Sequence, residues 1–172
     1  FFFLCRNNHY EKASFTVMCS FFIFYLIYIF LPVAGPQFYF QAITPECAES
    51  GIFPSLGTYF SHRTDMLPSP GYADGFFCHL VEWAQDSGER PTAAFPSSHI
   101  GITFILLYLV RPQSKRFLFI LSPFALLLTL ATVYIQAHYL VDAIAGILAS
   151  YPVFCLSKWA YQKTSLILRH ET

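Results

Sequence analysis

The feature that most constrains this chain is the length of its apolar runs. Residues 15–40, 93–110, 117–136 and 139–157 are each apolar for long enough to cross a bilayer, whose hydrocarbon core of about 30 Å takes roughly 20 helical residues. A soluble core could not hide them all, because the 172 residues are 55% hydrophobic and only 12% charged. Backbone in lipid must satisfy its own hydrogen bonds, so the runs are expected to be helices. The expected fold class is therefore all-α: a polytopic transmembrane helix bundle, forming a single membrane domain over residues 1–172 with an outer segment over 41–92.

Proline and glycine punctuate the pattern. Pro32, Gly35 and Pro36 mark the kink or exit of the first span. The last two spans need a turn near 131–137, because one unbroken helix would cross the membrane twice over and bury Gln136, His138 and Asp142 in its middle. Phe1–Leu4 reads like the last turn of another hydrophobic helix, so a longer parent protein is expected.

Charge sets the orientation. Arg6, Lys12, Arg111, Lys115, Arg116, Lys158, Lys163 and Arg169 fall in the start, the 111–116 loop and the tail, which alternate spanning places on the cytoplasmic side. Residues 41–92 carry only Arg63 and Arg90 against seven acids, and face outward. A bacterial inner (plasma) membrane with an outward-facing site is the expected location. Within the outer segment, Phe76, Phe77, Leu80, Val81 and Trp83 suggest a short helix over 74–85. It lies in the membrane interface, or else packs over the bundle. Cys47 and Cys78 share this side, and their spacing leaves open whether they pair. Zero net charge and the lack of an arginine-rich segment, zinc-finger cysteine spacing or glycine-rich phosphate loop argue against a nucleic-acid partner. Membrane lipids are the expected neighbours, and the sequence does not fix the oligomeric state.

Two polar constellations interrupt the apolar pattern. His138 and Asp142 are four apart, so on a helix the carboxylate would accept a hydrogen bond from one imidazole nitrogen and leave the other nucleophilic. The same spacing also suits a satisfied polar pair that holds helices together. Pro96-Ser97-Ser98-His99 stands where a loop turns into a span, an arrangement suited to capping and to binding an anion at free N–H groups. There a protonated His99 could supply a proton to a leaving oxygen. At about 1.5 Å per residue, His99 lies about 18 Å above Arg111, and Asp142 and His138 about 24–30 Å above Lys158. Both motifs thus reach the outer half of the bilayer.

In this order and on this side, the two motifs resemble the type 2 phosphatidic acid phosphatase superfamily, with its Pro-Ser-x-His element followed some 40 residues later by His-x-x-x-Asp. The likeness spans residues 15–157. It leans toward the branch near the inositol-phosphorylceramide synthases, because Ser98 replaces a glycine and Thr132-Val133-Tyr134 precedes His138-Tyr139. The resemblance implies a six-helix bundle, a phosphohistidine on His138 oriented by Asp142, proton donation by His99, and phosphate binding by Ser97 and Ser98, with no cofactor and no metal. The chain departs from the family pattern at the cations. Ala131 and Thr132 stand where a Ser-Arg pair is usual, and Trp83 stands where a lysine precedes Arg90-Pro91. Arg90, and after it Arg63, are the outer candidates to balance phosphate charge; Arg90 would otherwise be a rim residue paired with Glu89 or Glu82.

The expected activity is metal-independent hydrolysis of a lipid phosphomonoester or pyrophosphate at the outer face. Phosphotransfer to a lipid or sugar hydroxyl is the alternative within the family. Outside it stand a catalytically silent membrane subunit and a metal or proton conductor built on His99, His138 and Asp142.

Overall fold

The computed structural model describes residues 7–43, 45–71, 73–88 and 90–170, and the stub expected at Phe1–Leu4 lies outside them. Among the described residues seven α-helices follow one another: α1 (Asn7–Phe30), α2 (Pro36–Ala42), α3 (Pro45–Glu49), α4 (Phe76–Gly88), α5 (Ser98–Val110), α6 (Lys115–Tyr134) and α7 (Leu140–His170). Among the described residues there is no strand, only one isolated parallel bridge between Val33 and Ala93.

Among the described residues three helices are long and apolar enough to span: His9–Phe30, Lys115–Tyr134 and Leu140–Leu166. The chain is a helical membrane protein. The fourth expected span, 93–110, is corrected to the 13-residue α5, about 20 Å long. The helix starts late because Pro96 has no N–H to give and Ser97 caps it, its Oγ accepting the N–H of Ile100. The first span also differs from the expected 15–40. It begins at Asn7 and stops at Phe30, where Pro32 disfavours helical geometry at Leu31. The turn expected near 131–137 is present, since α6 ends at Tyr134 and α7 begins at Leu140.

Helix α5 packs on α1, α6 and α7, and α7 also packs on α1. Phe24, Ile105, Ile102 and Val153 form the core of these contacts. Glycine sets how closely α1 approaches α5, because a Cβ on Gly101 would stand 2.3 Å from the Phe24 ring. Lipid supplies no hydrophobic drive between helices, so polar contacts matter more there. Ser20 Oγ lies 2.9 Å from Ser157 Oγ, joining α1 to α7, and Tyr108 Oη lies 3.2 Å from Ser150 Oγ, joining α5 to α7. Only 6% of the α6 span is buried. Such an apolar face would be a liability in water and is ordinary in a bilayer.

Beyond the bundle, α4 is the helix expected over 74–85, displaced to Phe76–Gly88. Its Phe76, Phe77 and Trp83 are exposed. The helix is pinned through its opposite side, where Gln85 Nε2 donates to Gln37 Oε1 and Ser69 Oγ donates to Gln85 Oε1. Cys47 and Cys78 are both free thiols.

Candidate active site

Backbone hydrogen bonds bring three separate segments together at the end of the bundle away from Arg111 and Lys115. Ala94 N–H donates to the Val33 carbonyl, Gly35 N–H to that of Pro91, Gln37 N–H to that of Gln136, and Ser97 N–H to that of Asp142. The approach is close: a Cβ on Gly35 would stand 3.0 Å from the Ala137 carbonyl oxygen. Residues 33–37, 91–97 and 136–142 are thus held as one unit.

Within that unit His138 is 5% exposed. Its Nδ1 lies 2.9 Å from the carbonyl oxygen of Ala94. A carbonyl can only accept, so Nδ1 carries the hydrogen and Nε2 keeps its lone pair. That lone pair points at His99, whose Nδ1 is 3.5 Å away, with ring centroids 5.7 Å apart. The two motifs, 39 residues apart in sequence, meet as expected.

The hydrogen bond expected from His138 to Asp142 is not made. The nearest Asp142 oxygen is 3.9 Å from Nδ1, beyond hydrogen-bond reach, and that carboxylate accepts the N–H of Tyr139 at 2.8 Å instead. The cause is local. His138 precedes the helix rather than belonging to it, and Asp142 lies in the first turn of α7, where an acidic side chain reaches back to an unpaired N–H. Asp142, 1% exposed, therefore sits beside the imidazole without a direct hydrogen bond to it.

His138 lines a cavity of about 370 Å³ together with His99, Ser98, Arg90, Tyr28, Tyr25 and Phe21, among others. Ser97 is fully buried, with its Oγ engaged as the helix cap and its N–H given to Asp142. It joins the two motifs through these contacts. Ser98 does line the cavity, and its N–H donates to Tyr28 Oη, which in turn donates to the Pro96 carbonyl. Among the described residues Arg90 is the one arginine or lysine on the cavity wall. Arg63 lies over the Tyr59 ring at 5.5 Å and is not part of that wall. Thr132, in the place of a usual cation, turns its hydroxyl onto the Thr129 carbonyl. Phe76, Phe77 and Trp83 do not line the cavity. Among the described residues no group of three or more His, Cys, Asp or Glu is arranged to hold a metal ion.

Sequence reasoning missed four participants. The Ala94 carbonyl has no sequence signal. Tyr28 had one, because a phenol in an apolar span needs a partner. Phe21 and Tyr25, stacked at 6.5 Å along α1, were hidden among other aromatics in the same helix.

Gln136 adopts φ 62°, a left-handed conformation that costs a side chain about 1–2 kcal/mol. The turn needs it so that the Gln136 carbonyl meets Gln37 N–H while His138 N–H reaches the Thr132 carbonyl. Gln136→Gly is expected to raise the melting temperature by relieving up to about 1 kcal/mol of strain net of glycine's chain entropy, as read by thermal unfolding in detergent. A lowered melting temperature would mean that the side chain contributes more than the backbone strain.

Residues 1–156 match the family model of the PAP2 superfamily. No curated protein and no solved structure matches the chain.

Proposed function

The chain belongs to the PAP2 superfamily, a group of phosphatases and phosphotransferases, and from that premise we propose that it hydrolyses the phosphate of a membrane lipid through a phosphohistidine on His138. One observation carries this reading: the buried His138 ring gives its Nδ1 hydrogen to a carbonyl and turns a bare Nε2 toward His99 and the cavity.

In the first step the Nε2 lone pair forms the N–P bond as the P–O bond to the lipid breaks. The electron pair passes to the lipid oxygen, which takes a proton from His99 imidazolium. The phosphorylated imidazole still holds its Nδ1 hydrogen and so bears positive charge, which the Asp142 carboxylate 3.9 Å away stabilises without a direct hydrogen bond. His99, now neutral, removes a proton from water, whose oxygen attacks phosphorus. The P–N bond breaks and its electrons return to Nε2. Arg90 and the Ser98 hydroxyl are the partners available to the phosphoryl oxygens.

The cavity supports a lipid rather than a soluble substrate because Phe21 and Tyr25 reach its wall from the middle of a spanning helix and are themselves exposed to the bilayer. An acyl or prenyl chain resting along α1 would bring its phosphate to His138 from the side. The basic residues cluster at the opposite end, which by the positive-inside rule supports a site at the outer face of the membrane.

The test is phosphate release from phosphatidic acid and from a polyprenyl pyrophosphate by the purified chain, with and without chelator. Release that survives chelation and falls about 10²–10⁴-fold in His99→Ala is the expected result. A His99→Ala protein as active as the parent would sink the proton-donor role. Phosphate appearing on an added alcohol instead of in solution would replace hydrolysis by transfer.

A further inference from the structure

We propose that the opposite, basic end of the bundle holds a second binding site, one that takes the phosphate of an anionic lipid. Between α1, α5 and α7 lies a cavity of about 260 Å³ lined by His9, Lys12, Gln113, Lys158, Tyr108 and Phe154, among others. It is separate from the histidine cavity. Lys158 lies 16 residues after Asp142 on the same helix, about 24 Å along its axis, and the two cavities share no lining residue.

The charge balance points to an anion. Lys12 comes from α1 and Lys158 from α7, and both are half-buried. Among the described residues no carboxylate lines the cavity and neither lysine belongs to an ion pair. Two lysines from different helices thus border one small, partly enclosed space, and an anion placed there is attracted by both charges. The neighbouring donors are already arranged: Gln113 Nε2 lies 3.4 Å from His9 Nδ1, tying the α5–α6 loop to α1 beside the lysines.

The remaining walls point to a lipid as the source of that phosphate. Ala13, Leu109 and Phe154 make the other side of the cavity apolar, which suits a glycerol backbone and the first carbons of a chain better than a free ion. Basic pockets between spanning helices on the cytoplasmic side bind anionic headgroups in this way.

The experiment measures binding of phosphatidylglycerol, phosphatidylcholine and inorganic phosphate to the whole purified chain, by native mass spectrometry and by thermal shift. Phosphatidylglycerol is a phosphodiester, so the monoester chemistry proposed above does not consume it. The expected result is saturable binding that weakens about fivefold in Lys12→Gln, about fivefold in Lys158→Gln, and is retained within twofold in Lys158→Arg, with phosphate release at the His138 site unchanged in all three. Because Lys158→Arg keeps the charge, a folding defect in a glutamine variant would show as a lowered melting temperature without lipid. Equal binding of phosphatidylcholine, or unchanged affinity in both glutamine variants, would overturn the site. Inorganic phosphate bound as tightly as phosphatidylglycerol, with the same dependence on lysine, would overturn the lipid as its source.

Discussion

Replacing His138 by asparagine is expected to lower phosphate release by about 10³-fold or more while leaving the fold intact. The asparagine amide can donate to the Ala94 carbonyl, as Nδ1 now does at 2.9 Å, so the buried acceptor keeps a partner and the cost of an unpaired group is avoided. What disappears is Nε2, and with it the atom that bonds to phosphorus. His138→Ala would lose both, and its inactivity alone could reflect a disturbed loop. The decisive measurement is therefore the asparagine variant's melting temperature beside its kcat/KM, together with the loss of an acid-labile phosphoprotein from rapidly quenched reactions. An asparagine variant that kept a tenth of the parent activity would eliminate His138 as the nucleophile. Asp142→Asn removes only the charge, since its side-chain oxygen can still accept the Tyr139 N–H. Its effect should be smaller and should fall on the lifetime of the phosphorylated species.

The second large effect is expected far from any reacting atom, at Gly146. A Cβ there would stand 2.6 Å from the Ser97 carbonyl oxygen and 3.3 Å from Ser97 Cβ. The closer neighbour is backbone and cannot swing aside, so Gly146→Ala must push α7 away from the start of α5. Ser97 N–H donates to the Asp142 carbonyl across this same contact, so the displacement separates His99 from His138. A shift of about 1 Å is enough to cost on the order of 10² in rate, and overpacking costs about 1–3 kcal/mol of stability. Gly101→Ala is the control. Its new methyl meets the Phe24 ring in the core of the bundle, so it should lower the melting temperature comparably while the folded protein keeps its kcat within a few-fold. Equal activity losses in the two variants, matched to their stability losses, would show that the α5–α7 contact has no special part in positioning the histidines.

The asymmetry between these two glycines shows where the sequence was readable. The apolar runs announced the spanning helices because helix length and side-chain transfer are local properties. The two histidine motifs were visible because polar groups in apolar runs are rare and expensive. Their pairing could be anticipated from depth alone, since both stand at the same end of their helices. By contrast, a glycine inside an apolar run looks the same whether it faces a side chain, a carbonyl or lipid.

The link between His138 and Asp142 was misread for a related reason. Four-residue spacing implies contact only if both residues are helical, and here the helix starts at Leu140. The Tyr139 N–H, unpaired at the helix start, competes for the carboxylate and takes it. Capping and anion binding use the same residue types, and Ser97 makes the capping contact. The cation deficit, in contrast, was legible residue by residue, and Arg90 remains the charged group at the cavity wall.

By itself the sequence determined that this is a helical membrane protein of the PAP2 superfamily, with two histidines at one end of the bundle and most basic residues at the other. Those features follow from hydrophobic length, charge distribution and short motifs, each confined to a few neighbouring residues. Only the tertiary structure decided which nitrogen of His138 is bare, which serine meets the cavity, and that Phe21 and Tyr25 form its wall. Each of these depends on where a backbone carbonyl or ring from a distant segment points. Ala94 is 44 residues from His138, and Tyr28 is 70 residues from the Ser98 N–H that it accepts. No local pattern encodes the direction of such contacts.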